Sequence, residues 1–144
     1  MAPRVLISDA LSPAAAAIFK NRGLDGLIAR SERNLAALLG WVEKCPWADP
    51  LAEDPATISC TSPQFKIIEP WFTRLSPEER FHTVRAMTRR LEQEGAAYDI
   101  ASHRASPPGL RIWSGPTIET ADIEALLPWL DWAWEEQRRT AKAA

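Results

Sequence analysis

Ala96-Ala-Tyr-Asp-Ile-Ala-Ser-His103-Arg104-Ala-Ser-Pro107-Pro-Gly109-Leu-Arg111-Ile-Trp113 is the run on which the fold turns. Ala96–Ile100 and Leu110–Trp113 each read as a short strand. Pro107-Pro-Gly109 between them supplies a stiff turn, because proline fixes one backbone angle and glycine tolerates the bend. Strands joined by so short a connection pair antiparallel. The same turn carries His103, Arg104 and Arg111. Arginine offers a planar fork of donors that matches carboxylate and phosphate oxygens, and a neighbouring histidine adds one more donor. Held on a pre-ordered turn, such groups suit a small dianion. The plain alternative for Arg104 and Arg111 is a surface ion pair with acids such as Asp99 or Glu119, which contributes little in water.

Working upstream, Ser76-Pro77-Glu78-Glu79 combines a capping box with a proline at the first helical position. Phe81, Val84, Met87 and Leu91 follow at helical spacing, and Gly95 closes that helix. Thr57–Thr61 and Gln64–Glu69 read as strands broken at Ser62-Pro63, with Pro70 ending the second and Pro46 to Pro55 forming a loop before them. Leu24, Leu27, Ile28, Leu35, Leu38, Leu39 and Val42 recur at steps of three and four, so they share one face of a helix that ends near Lys44-Cys45-Pro46. At the start, Arg4–Ser8 is a β-rich run, and Ser12-Pro13 opens a helix through Phe19. Downstream, Thr120 is expected to cap a final helical region that Pro128 divides into a short turn and a longer helix to about Thr140. Together these elements predict an α+β fold: a small, largely antiparallel sheet with helices packed on one side.

With 144 residues the chain has room for one compact domain with a real core. Seventeen Lys and Arg against 19 Asp and Glu leave a formal charge of −2, which gives no reason to expect nucleic acid or an anionic membrane as partner. No apolar run is long enough to cross a bilayer and the first residues lack a secretory pattern, so a cytoplasmic location is expected. Cys45 and Cys60 form no Cys-x-x-Cys, and His82 and His103 stand apart, so neither a disulfide framework nor a metal site is suggested. Seven tryptophans supply more aromatic area than one small core usually absorbs, so some are expected to face another domain. Trp129, Trp132 and Trp134 suit core or interdomain packing better than a ligand-stacking platform.

The stretch from Tyr98 to Arg104, followed by Pro107-Pro-Gly-Leu-Arg111-Ile-Trp-Ser-Gly-Pro-Thr-Ile-Glu119, resembles the C-terminal small domain of phosphoserine aminotransferases. Gly26–Leu38, Leu51–Thr57, Phe65–Phe72 and Asp122–Ala133 share the resemblance, so it covers about residues 25–144. It implies the fold of the small domain of pyridoxal-phosphate-dependent aminotransferases. It also implies a place in serine biosynthesis, where an amino group moves between glutamate and 3-phosphohydroxypyruvate to give O-phosphoserine. Carried over by position, His103 and Arg104 would grip the substrate phosphate and Arg111 the α-carboxylate.

Pro3-Arg-Val-Leu-Ile-Ser-Asp-Ala-Leu-Ser-Pro13 and the residues to Gly23 resemble the opening strand and helix of D-3-phosphoglycerate dehydrogenases. The expected division is therefore a dehydrogenase-like βα segment over 1–24 and an aminotransferase small domain over 25–144, either a natural fusion or a constructed one. Catalysis by the first family needs a lysine that forms the internal aldimine with the cofactor. Lys20, Lys44, Lys66 and Lys142 match none of that lysine's setting, so no catalytic residue is assigned and pyridoxal phosphate is not expected to bind this chain alone. The dehydrogenase reading lacks a Gly-x-Gly-x-x-Gly turn for a nicotinamide cofactor. Two alternatives stand beside the aminotransferase reading: a non-enzymatic interaction or dimerisation domain that uses its Trp-rich face, on itself or on an aminotransferase large domain, and a phosphoglycerate dehydrogenase-related fragment.

Overall fold

The computed structural model describes residues 13, 16, 23–103 and 105–143. In chain order the elements are α1 (Gly23–Val42), β1 (Ala48–Pro50), a 3-10 turn (Pro55–Thr57), β2 (Gln64–Ile67), α2 (Pro70–Thr73), α3 (Pro77–Gln93), β3 (Gly109–Arg111) and α4 (Thr120–Ala143). The sheet has the order β1-β2-β3 and is antiparallel at both joints, with Ala48 opposite Ile67 and Phe65 opposite Leu110. Along β2, Phe65 and Ile67 are buried while Gln64 and Lys66 are half-exposed, the alternation of a sheet covered on one face. Leu38 of α1, Met87 and Leu91 of α3, and Leu130 and Trp134 of α4 meet them in the core. α4 packs against both α1 and α3 and so closes the helical layer. The expected α+β architecture is the observed one.

The capping box at α3 forms as read: the Glu79 backbone N–H donates to Ser76 Oγ, and the Ser76 N–H donates back to Glu79 Oε2. Gly95 closes the helix at φ 70°, where glycine carries no steric penalty, and the Ala96 N–H returns to the Leu91 carbonyl. That closure takes Ala96 and Ala97 away from the strand expected over Ala96–Ile100. Asp99 at φ 52° then breaks the extended path, and only Ala101 forms a bridge, to Leu110. The hairpin survives through single bonds: Ser102 N–H to the Gly109 carbonyl (2.9 Å) and Arg111 N–H to the Ile100 carbonyl (2.9 Å).

Other expectations are corrected. The segment read as a loop contains β1, whose edge position tolerates Pro50. Thr57–Thr61 is not a strand: the Asp54 side chain accepts the Ala56 N–H, and Ser59 Oγ accepts the N–H groups of Thr61 and Ser62. These local bonds compete with a ladder. The strand expected over Gln64–Glu69 stops at Ile67, and Pro70 starts α2. Pro128 does not divide the last helix; α4 runs through it. Beyond the proline, Leu130, Ala133 and Trp134 are buried, and Asp131 accepts the indole N–H groups of Trp41 and Trp47, so packing outweighs one lost backbone bond. Thr120 is the first residue of α4, where Glu119 O accepts the first returning N–H groups; the Thr120 hydroxyl serves Asn34 instead.

The apolar stripe of α1 is right only in its second half. Leu24 and Ile28 are exposed, whereas Arg30, Ser31 and Asn34 are buried ahead of Leu38 and Val42. The early face of α1 meets backbone carbonyls, and carbonyls need donors. The tryptophans divide similarly. Trp47 and Trp71 stack on either side of Trp134 at 5.1 and 5.3 Å, Trp41 meets Trp47 edge-on, and Trp113 and Trp129 stay exposed. Trp134 is thus part of the core and not of a platform. No helix among the described residues is long and apolar enough to cross a membrane.

Candidate functional site

β3 positions Arg111. Leu110 faces the core, so its neighbour turns to the opposite, half-exposed side. Gly109 lets the strand come in close: a Cβ there would lie 2.2 Å from the Phe65 carbonyl oxygen. The turn from His103 onward is fixed by short-range bonds. The His103 carbonyl accepts the Ser106 N–H, His103 Nδ1 accepts the Ala105 N–H, and Ser102 Oγ accepts the Gly109 N–H. With Nδ1 accepting, the neutral ring carries its proton on Nε2, and the exposed imidazole offers that donor to solvent. Arg104 lies outside the described residues.

Arg111 Nη2 donates to Asp99 Oδ2 at 3.3 Å, so the plain alternative of an ion pair with Asp99 is realised. The carboxylate of Asp99 is 90% exposed, and a pair so open to water holds its arginine weakly. Glu119 is not available to Arg111. It pairs with the buried Arg30 at 2.7 Å, whose guanidinium also reaches the Pro116 carbonyl. An open groove of about 520 Å³ runs beside Arg111, bounded by Tyr98, Asp99, Trp113, Asp122 and Leu126. Asp99 and Asp122 outnumber Arg111 there, so the groove is no anion cup by itself.

Sequence reasoning missed the hub that holds this region. Asn34, fully buried on α1, donates through Nδ2 to the carbonyls of Ser114 (3.1 Å) and Ile118 (3.0 Å), and its Oδ1 accepts the Thr120 hydroxyl at 2.6 Å. The link from β3 to α4 is thereby tied to α1. Arg30 and Asn34, four residues apart and in register with Leu38, were the available signal: two polar residues on a helix's buried face. A second anchor joins α4 to the start of α2. Burial alone would raise the Glu69 carboxyl pKa, but hydrogen bonds from Arg138 and Trp134 outweigh it and hold the group below its ordinary value. Both cysteines are free and half-buried, and burial pushes the Cys45 thiol pKa up. Among the described residues no cluster of three His, Cys, Asp or Glu is placed to hold a metal ion.

The described residues form a small α+β domain of three antiparallel strands and packed helices, and comparison with known proteins shows what it is similar to. Over 113 residues the chain is 42% identical to a phosphoserine aminotransferase of Methanosarcina mazei, covering 78% of this chain and 28% of that protein. It is 40% identical over 112 residues to a phosphoserine aminotransferase of Methanosarcina barkeri, with the same shares. A solved phosphoserine aminotransferase from Bacillus circulans subsp. alkalophilus superposes with a TM-score of 0.65 at 16% identity, over 84% of this chain and 30% of that one, which establishes a shared fold. No known protein-family profile matches the chain. The chain spans just over a quarter of the length of the curated relatives it matches.

Proposed function

We propose that this chain is the small domain of a phosphoserine aminotransferase-like protein of serine biosynthesis, and that it supplies substrate contacts without transaminating by itself. His103 and Arg104 receive the phosphate of O-phosphoserine or 3-phosphohydroxypyruvate, and Arg111 receives the α-carboxylate by exchanging the exposed Asp99 for the ligand. The observation that carries this reading is the 42% identity over 113 residues to a protein of that name. The bonds that fix His103 in its turn and the weak Arg111–Asp99 pair support it, because they leave the His103 ring positioned and the Arg111 guanidinium recoverable.

Pyridoxal phosphate supplies the electron sink in the family's reaction, and its tether is a lysine with lowered pKa. Lys44 and Lys142 are exposed, and Lys66 pairs with Asp49 at 3.3 Å, so the described lysines do not fit that tether. For residues 1–24 we propose a dehydrogenase-derived βα unit; that reading falls almost wholly outside the described residues, and its support is the run from Pro3 to Gly23. Exposed Tyr98 and Trp113 beside the groove support docking of this face onto an aminotransferase large domain.

Titration of the chain with O-phosphoserine, followed by NMR, tests the substrate contacts. Saturable shifts at residues 99–113 are expected, weakened about tenfold or more in Arg104→Ala and in Arg111→Ala, since each variant loses a charge-assisted contact. Equal responses of the wild-type chain and both variants would discard the assignment.

A further inference from the structure

The groove beside Arg111 has a floor and walls that the turn at His103 does not use. Ile100, Ile112 and Ile123 line it as buried residues and Leu126 as a half-buried one. Its volume of about 520 Å³ falls in the range of small-molecule sites. Two open aromatic rings complete the lining, Tyr98 at 70% and Trp113 at 54% exposure. Trp113 is exposed and yet fixed. Its ring lies against Gly115, where a Cβ would fall 2.4 Å from Cζ2, and its indole N–H donates to Thr117 Oγ1 at 3.2 Å. A ring held in place while open to solvent makes a ready wall, because little side-chain freedom is left to lose when a second surface covers it. The charge is one-sided. Asp99 is tied to Arg111 at 3.3 Å, whereas Asp122, in the first turn of α4, makes no ion pair among the described residues. One carboxylate in the groove is thus left without a countercharge.

We propose that this groove binds a small organic cation, a primary ammonium on an apolar or aromatic body, with the ammonium held by the Asp122 carboxylate and the aromatic rings and the body lying on the isoleucine floor. An ammonium is attracted both by a carboxylate and by the negative face of an aromatic ring, and the groove supplies both beside apolar surface. An anion of the same shape meets two carboxylates, and a neutral molecule gains only the burial of its body. Arg111 competes with the ligand for Asp99, so Asp122 carries the larger share of the charge recognition. The site uses neither His103 nor Arg104, and it stands or falls independently of the substrate contacts proposed for the hairpin.

The test is a titration of the full chain with 2-phenylethylamine, followed by the NMR signals of the Trp113 indole and the Asp122 amide, with 2-phenylethanol and 3-phenylpropionate as the neutral and anionic counterparts. The amine is expected to give saturable shifts, the alcohol to bind about tenfold more weakly and the acid not to saturate. Asp122→Asn and Trp113→Leu, both at exposed positions, are each expected to weaken the amine about fivefold, and Asp122→Asn to leave the alcohol unchanged. Arg111→Ala frees Asp99 and is expected to tighten the amine about threefold. Non-saturating shifts with the amine, equal affinity for the alcohol, or binding that persists in both Asp122→Asn and Trp113→Leu would overturn the proposal. Weaker binding in Arg111→Ala would do so as well, since it would place the ligand on the guanidinium. A lysine-bearing peptide, acetyl-Phe-Lys-amide, that bound about tenfold tighter than the free amine would overturn the assignment to a small molecule.

Discussion

Truncating Asn34 to alanine removes the clamp between α1 and the chain that follows β3, and its cost can be worked from the bonds it breaks. The side chain is fully buried; Nδ2 reaches two carbonyls at 3.0 and 3.1 Å, and Oδ1 takes the Thr120 hydroxyl at 2.6 Å. Each buried group left without a partner costs about 1 kcal/mol or more, so three of them amount to about 3 kcal/mol. Thr120 is half-exposed and can recover part of its share from water, which sets a lower bound near 2 kcal/mol. A typical domain has about 5–15 kcal/mol of stability, so the variant would fold with a Tm lower by about 10 °C. Urea unfolding followed by tryptophan fluorescence reads the effect directly, with an unchanged m-value showing that both chains unfold between the same states. Asn34→Asp sharpens the test. Its carboxylate would face carbonyls, so its folded pKa rises; the variant is most stable below the unfolded value of about 3.9 and loses stability as pH climbs. A loss below about 1 kcal/mol in Asn34→Ala would refute the reasoning, because it would show that water replaces the amide at little cost.

The remaining expectations concern the two other anchors. Glu69, held below its ordinary pKa by Arg138 and Trp134, contributes stability that is present above the unfolded carboxyl value of about 4.3 and is lost as pH falls through the folded one. Glu69→Gln should therefore cost about 2 kcal/mol at neutral pH, between the values for surface and buried pairs, and the gap from wild type should close toward acid in a series of urea midpoints. A gap that stays constant across pH would argue against the ion pair as its source. Gly109→Ala should cost about 3 kcal/mol or prevent β2 and β3 from pairing, because the new methyl would strike the Phe65 carbonyl oxygen. Thermal melts check this, and an unshifted Tm would mean that the strands do not approach so closely.

Local chemistry was the part most open to reading from letters. The Ser76 box, the helical spacing from Phe81 to Leu91 and the closing Gly95 each involve neighbours a few residues apart, and each appears as read. The turn at 103–109 was visible for the same reason, and so was the likeness to phosphoserine aminotransferases, since it rests on ordered identities. Failures cluster where distant partners decide. Pro128 looks like a break until Trp41 and Trp47 reach across to Asp131. Ala96–Ile100 looks like a strand until closure of α3 claims its first residues.

The sequence by itself determined where α3 and the prolyl turn begin and end, the α+β class, and the residue types able to meet an anion, because caps, turns and periodicity are short-range properties of the chain. Tertiary structure alone decided that Arg111 rests against Asp99, that Glu119 is reserved for Arg30, and that the buried face of α1 is polar where it meets the carbonyls after β3. The last two outcomes depend on which donors and acceptors are brought together from residues 80 or more positions apart, as with Asn34 and Ser114. A buried polar group must find a partner, but nothing in its own neighbourhood of the chain says which.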